Sequence, residues 1–133
     1  MGIGKGLGIS MGMILEIAST LRRYMRPVRD AEYLRFIRRF PCVACGGCSR
    51  VEAAHIGPRG LSQKTSDWTA LPICFRCHQD GAGALHKVGP ESFQLTHGLD
   101  FAALQAMFNR FFFLRTGHYA AGWEMESERR KAA

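Results

Sequence analysis

The chain has no run of about 18 apolar residues, the length a membrane-spanning helix requires, so no membrane partner is expected. It also lacks a secretory pattern. Residues 7–18 are moderately apolar, but Gly8, Gly12 and Glu16 interrupt them and no cleavage pattern follows. No internal repeat occurs, which excludes a solenoid. Cysteine is scarce and odd in number: five residues cannot all pair as disulfides, and a reducing, cytoplasmic setting is expected, where thiolates bind metal instead. Acidic residues are the last shortage. Eleven Asp and Glu face 18 Lys and Arg, for a formal charge of +7 over 133 residues, enough for one domain with a modest core.

The basic excess is concentrated. Residues 22–39 hold seven arginines (Arg22, Arg23, Arg26, Arg29, Arg35, Arg38, Arg39) against Asp30 and Glu32. Guanidinium forks pair bidentately with phosphate, so this stripe suits a polyanion, and beside a metal site it points to nucleic acid. A solvated helix face is the plainer alternative.

Four of the five cysteines form two pairs, Cys42-x-x-Cys45 and Cys74-x-x-Cys77. Thiolates at this spacing sit on a tight turn and point at one ion, and two such turns complete a tetrahedron, the arrangement of a structural zinc. The 28 residues between Cys45 and Cys74 exceed the roughly 15–20 of a simple ribbon, so a further element is held between the turns. Cys48 is the spare thiol. The pair Cys42/Cys45 suits a knuckle closed by Gly46-Gly47 better than the shifted pair Cys45/Cys48.

Residues 1–25, with five glycines in the first twelve, are expected to be disordered or poorly ordered. Asp30 caps a helix over about 31–39, with Tyr33, Leu34 and Ile37 inward, and Pro41 ends it. Residues 50–56 read as a strand broken by Gly57-Pro58. A polar loop follows over 59–68, then a second strand running into the second cysteine pair. A short helix is expected between Pro90 and Gly98. A longer one over 101–115 is capped by Asp100 and closed by Gly117, its stripe of Phe101, Leu104, Phe108, Phe111 and Phe112 facing the core. The main domain is placed at 26–117 and a charged, frayed tail at 118–133.

Strand, loop, strand and helix between two cysteine knuckles make a ββα arrangement, with His55 ending the first strand and His78 opening the helix. On Phe40-Pro41-Cys42-Val43-Ala44-Cys45-Gly46, Glu52-Ala53-Ala54-His55-Ile56, residues 60–67 and Ala70-Leu71-Pro72-Ile73-Cys74-Phe75-Arg76-Cys77-His78, the sequence resembles the HNH, or ββα-metal, endonucleases. Within them it is most similar to the small zinc-knuckle proteins of phage and prophage genomes, over roughly residues 26–100. The resemblance implies an α+β fold, a ββα-metal core with a four-cysteine zinc site between N- and C-terminal helices. It implies a nuclease that hydrolyses DNA phosphodiesters.

It further implies that His55 is the general base and that His78 and His86 hold one divalent ion (Mg²⁺, Mn²⁺, Zn²⁺ or Ni²⁺), with Asp80 competing for the place of His86. Arg59 and Lys64 would grip neighbouring phosphates, beside Arg35, Arg38 and Arg39. Thr69 falls where the family carries its middle asparagine, which orients the loop bearing the base; Asp67 is the other residue placed to contribute. Ala54 stands where an acidic or histidine ligand often precedes the base, with Glu52 as its substitute. Eight residues of straight helix, about 12 Å, would separate His78 from His86, so Gly81 and Gly83 must open a loop. Two alternatives stay open: a non-catalytic zinc-ribbon DNA-binding module, and an HNH fold that has lost activity.

Overall fold

The computed structural model describes residues 8–24, 27–57 and 65–123. Its architecture is mixed α+β. Among the described residues are five α-helices, α1 (Met11–Tyr24), α2 (Ala31–Ile37), α3 (Leu85–Val88), α4 (Pro90–His97) and α5 (Phe101–Thr116). Two strands, β1 (Val51–His55) and β2 (Ala70–Cys74), pair antiparallel in the register Val51↔Cys74 to His55↔Ala70. No helix here is long and apolar enough to cross a membrane.

A two-stranded sheet is marginal by itself in water. This one survives because β2 is buried along its whole length and lies under α2 and α5. Tyr33, Phe36 and Ile37 of α2 meet Phe108 and Phe112 of α5, with Leu71 and Ile73 of β2 beneath them. Edge-on aromatic contacts knit the layer: Tyr33–Phe112 at 5.2 Å, Phe36–Phe112 at 5.3 Å and Phe40–Phe108 at 4.9 Å between ring centroids. Such pairs contribute about 0.5–1.5 kcal/mol each beyond their buried area.

Local signals set the helix ends. The Asp30 carboxylate accepts the Tyr33 N–H at 3.0 Å and Asp100 accepts that of Ala103 at 3.1 Å, each an N-cap. Gly98 and Gly117 close α4 and α5 in the left-handed region, at φ +61° and +81°.

Two segments depart from expectation. Met11–Tyr24 is helical, inside the stretch expected to be poorly ordered; the glycines cluster before residue 13, and the twelve that follow are mostly good helix formers. This helix exposes Met11, Met13, Ile14, Leu15, Ile17 and Leu21. At the other end, 118–123 do not fray. Trp123 packs edge-on against Trp68 at 5.4 Å, Ala120 is buried, and the Ala121 N–H donates to Asp30 Oδ2 at 3.0 Å. Residues 124–133 lie outside the described residues, as do Arg59 and Lys64.

Candidate functional site

Two side-chain clusters lie at opposite ends of the β1–β2 pair. At the Val51/Cys74 end, Cys42 and Cys45 come from the knuckle that follows α2, and Cys74 ends β2. Cys77 belongs to a π-helical turn, Arg76–Asp80. The knuckle closes by Cys42 N–H to Gly47 O and Gly46 N–H to Cys42 O, both 2.8 Å, with Gly46 at φ +73° where a side chain would strain.

The four sulfurs lie within 4.8 Å of one another, and Cys45 Sγ stands 3.7 Å from Cys74 Sγ. A zinc with Zn–S bonds of about 2.3 Å places tetrahedral sulfurs about 3.8 Å apart, so the set fits that ion. The Gly47 N–H donates to Cys45 Sγ at 3.4 Å. Burial works to raise the Cys42 thiol, but N–H donors from Cys74, Cys45 and Ala44 outweigh it and bring the pKa down to about 7. Burial and neighbouring sulfurs push Cys77 up, a crowding that a central cation relieves. Cys48 is exposed and outside the cluster.

At the His55/Ala70 end, the Asp67–Thr69 turn of 3₁₀ helix carries Asp67, which is 3% exposed. Its Oδ1 lies 2.7 Å from His55 Nε2 and 3.0 Å from Arg29 Nη1, and its Oδ2 accepts the Asp30 N–H at 2.7 Å. Burial works to raise its pKa. The hydrogen bonds from Asp30, His55 and Arg29 outweigh burial and hold it below the usual carboxylate value. An ionised carboxylate only accepts, so Nε2 of His55 donates in this hydrogen bond.

His55 and His86 line one cleft of about 710 Å³, together with Ile56, Leu85, Phe101 and Gln105. The chain loops between the π-helical turn and α3 and folds His86 back onto His78 at 4.4 Å between ring centroids. Glu52 Oε1 sits 3.4 Å from His78 Nδ1 and both its oxygens accept from Gln79 Nε2, at 3.1 and 2.9 Å. A carboxylate behind a histidine orients its ring. Among the described residues, only the four cysteines form a group of three or more side chains close enough to share an ion.

Other expected residues take different places. Thr69 is buried, and its hydroxyl donates to Ser66 O at 2.8 Å, closing the turn that carries Asp67. Ala54 is fully buried in the core, so a carboxylate at that position would lose its water. Arg35, Arg38 and Arg39 are exposed, whereas Arg29 of the same stripe turns to Asp67. Gln105 of α5 carried no expectation, yet its Nε2 donates to Ile56 O at 2.6 Å and Thr69 O at 2.9 Å. The signal for it was a polar residue between Phe101 and Phe108 on the buried face of that helix.

The geometry makes acid stability testable. Asp67→Asn is expected to cost about 1–3 kcal/mol near neutral pH, from weaker hydrogen bonds at a buried site. A depressed carboxylate stabilises the fold above its unfolded pKa of about 3.9 and loses that contribution as pH falls from there through its lower folded pKa. The gap between wild type and variant should therefore close as pH falls below about 4. Thermal melts over pH 3–7 check this, and cysteine effects are common to both proteins. A gap as large at about pH 3 as at about pH 5 would contradict the assignment.

No curated protein and no solved structure matches the chain. One family model does match, over residues 20–114, a span that includes both cysteine pairs, His55, Asp67, His78, His86 and Gln105. The chain therefore belongs to the family described as Protein of unknown function (DUF968).

Proposed function

We propose that this protein is a metal-dependent HNH-type endonuclease that hydrolyses DNA phosphodiesters, on a ββα-metal core held together by a structural zinc in the four cysteines. One observation carries the reading. His55, held by an ionised Asp67, lines a cleft also lined by His86, which is itself in ring contact with His78.

In this reading Nδ1 of His55 takes the proton of an attacking water, while Asp67 holds the ring in one tautomer and stabilises the imidazolium that forms. His78, braced by Glu52, and His86 are the ligands offered to a divalent ion (Mg²⁺, Mn²⁺, Zn²⁺ or Ni²⁺), and imidazole suits Zn²⁺ and Ni²⁺ best of these. When bound there, such an ion supplies Lewis-acid stabilisation to the scissile phosphate and its leaving oxygen. Arg35, Arg38 and Arg39 supply cationic surface for the DNA backbone. Ala54 favours a second reading, an HNH fold without activity, because the core fills the position of a common ligand.

Purified protein and supercoiled plasmid, with Mg²⁺, Mn²⁺, Zn²⁺ or Ni²⁺ or with chelator, separate the two. Ion-dependent nicking supports the nuclease. Binding without nicking in any ion supports the inactive fold. Neutralising Arg35, Arg38 and Arg39 together to Gln is expected to lower the slope of log K against log salt by roughly 2–3 for duplex DNA. Filter binding from 50 to 300 mM salt checks this; an unchanged slope would make these arginines a solvated face.

A further inference from the structure

The sheet ends at the pair His55↔Ala70, and the carbonyls of the two segments beyond it need partners outside the ladder. Ile56 O follows His55 directly, and Thr69 O directly precedes Ala70. A single atom, Gln105 Nε2, reaches both, at 2.6 and 2.9 Å, from the middle of α5. A primary amide nitrogen has two hydrogens, one for each carbonyl, so Gln105 extends the ladder by one rung with a side chain. The residue is 5% exposed and also forms part of the cleft wall beside His55. One helical turn later Asn109, fully buried, donates to Trp68 O at 3.1 Å, so α5 grips the Asp67–Thr69 turn at two points.

We propose that Gln105 is a positioning residue for His55. Its amide ties the end of β1 to the turn carrying Asp67, and so fixes the distance and angle at which His55 meets that carboxylate and faces the cleft. The assignment rests on His55 being the general base, but the geometry it controls is measurable without catalysis. Threonine at position 69 has its hydroxyl committed to Ser66, so the tie between the two chain ends falls to a residue 36 positions away.

Gln105→Met keeps the length of the side chain and removes both donors. In zinc-loaded wild-type protein, long-range ¹H–¹⁵N spectra should show His55 in one tautomer, with the proton on Nε2. In the Met variant the two tautomers should mix, while the zinc content stays unchanged. If the protein nicks plasmid, kcat should fall by roughly 10²-fold, the scale of a 1 Å misplacement, with KM within about twofold. A folded Met variant with wild-type His55 signals and wild-type kcat overturns the proposal.

Should the variant not fold, hydrogen exchange of the Gln105 side-chain amide in wild-type protein decides. Slow exchange of both protons supports the two-carbonyl tie, and fast exchange of either one overturns it. A protein that never nicks, yet loses its single His55 tautomer in Gln105→Met, would refute the nuclease and leave the positioning role standing.

Discussion

His55→Ala is expected to lower ion-dependent plasmid nicking by roughly 10²–10⁴-fold, the usual weight of general-base catalysis, while DNA binding is retained. The loss should sit in the chemical step, because His55 ends its strand and holds one hydrogen bond, to Asp67, instead of a place in the aromatic core. Folding should survive for the same reason. Asp67 keeps its bonds to Arg29 and to the Asp30 N–H, so the carboxylate remains ionised and satisfied, and the cost is about 1–3 kcal/mol. Turnover and binding are measured on the same preparation, with near-UV dichroism as a check on the fold. Wild-type nicking by the Ala variant would remove His55 from the chemistry. Loss of both nicking and binding would instead implicate the fold.

Much of this arrangement was legible in the sequence because its determinants are local. The spacing of each cysteine pair, the caps at Asp30 and Asp100, Pro90 at the start of α4, and the glycines at 98 and 117 each act within a turn of the residue that carries the signal. The same holds for His78 and His86. Their separation demanded a loop, Gly81 allowed it, and the chain folds one ring onto the other. What escaped was set by contacts between distant segments. Gln105 meets Ile56 across 49 positions and Arg29 meets Asp67 across 38, and no periodicity announces either. Arg29 read as one more cation in a stripe; tertiary packing gave it a carboxylate partner. Trp123 read as part of a charged tail, because the ring it packs on, Trp68, lies 55 residues earlier.

Cys74→Ser is expected to abolish the cooperative fold. Cys74 ends β2, is 7% exposed, and belongs to the sulfur cluster that fastens the knuckle after α2 to the π-helical turn bearing His78. A backbone bond from Val43 N–H to Pro72 O, 2.9 Å, also ties the knuckle to β2, but the sulfur cluster is what brings Cys77 of the turn to it. Structural zinc in small domains contributes apparent binding free energies of about 10–16 kcal/mol, and whole domains are stable by only about 5–15 kcal/mol. Removing one thiolate should therefore lose both the ion and the native state, and chelator should do the same to wild type. Cys48→Ser is the matched control, since that thiol is exposed and outside the cluster, and it should keep one zinc per chain and the wild-type melt. Zinc content and thermal unfolding on the three proteins provide the comparison. A soluble Cys74→Ser protein with a cooperative transition near the wild-type temperature would separate the four cysteines from the stability of the fold. The histidine cleft would then depend on the α2–β2–α5 core alone.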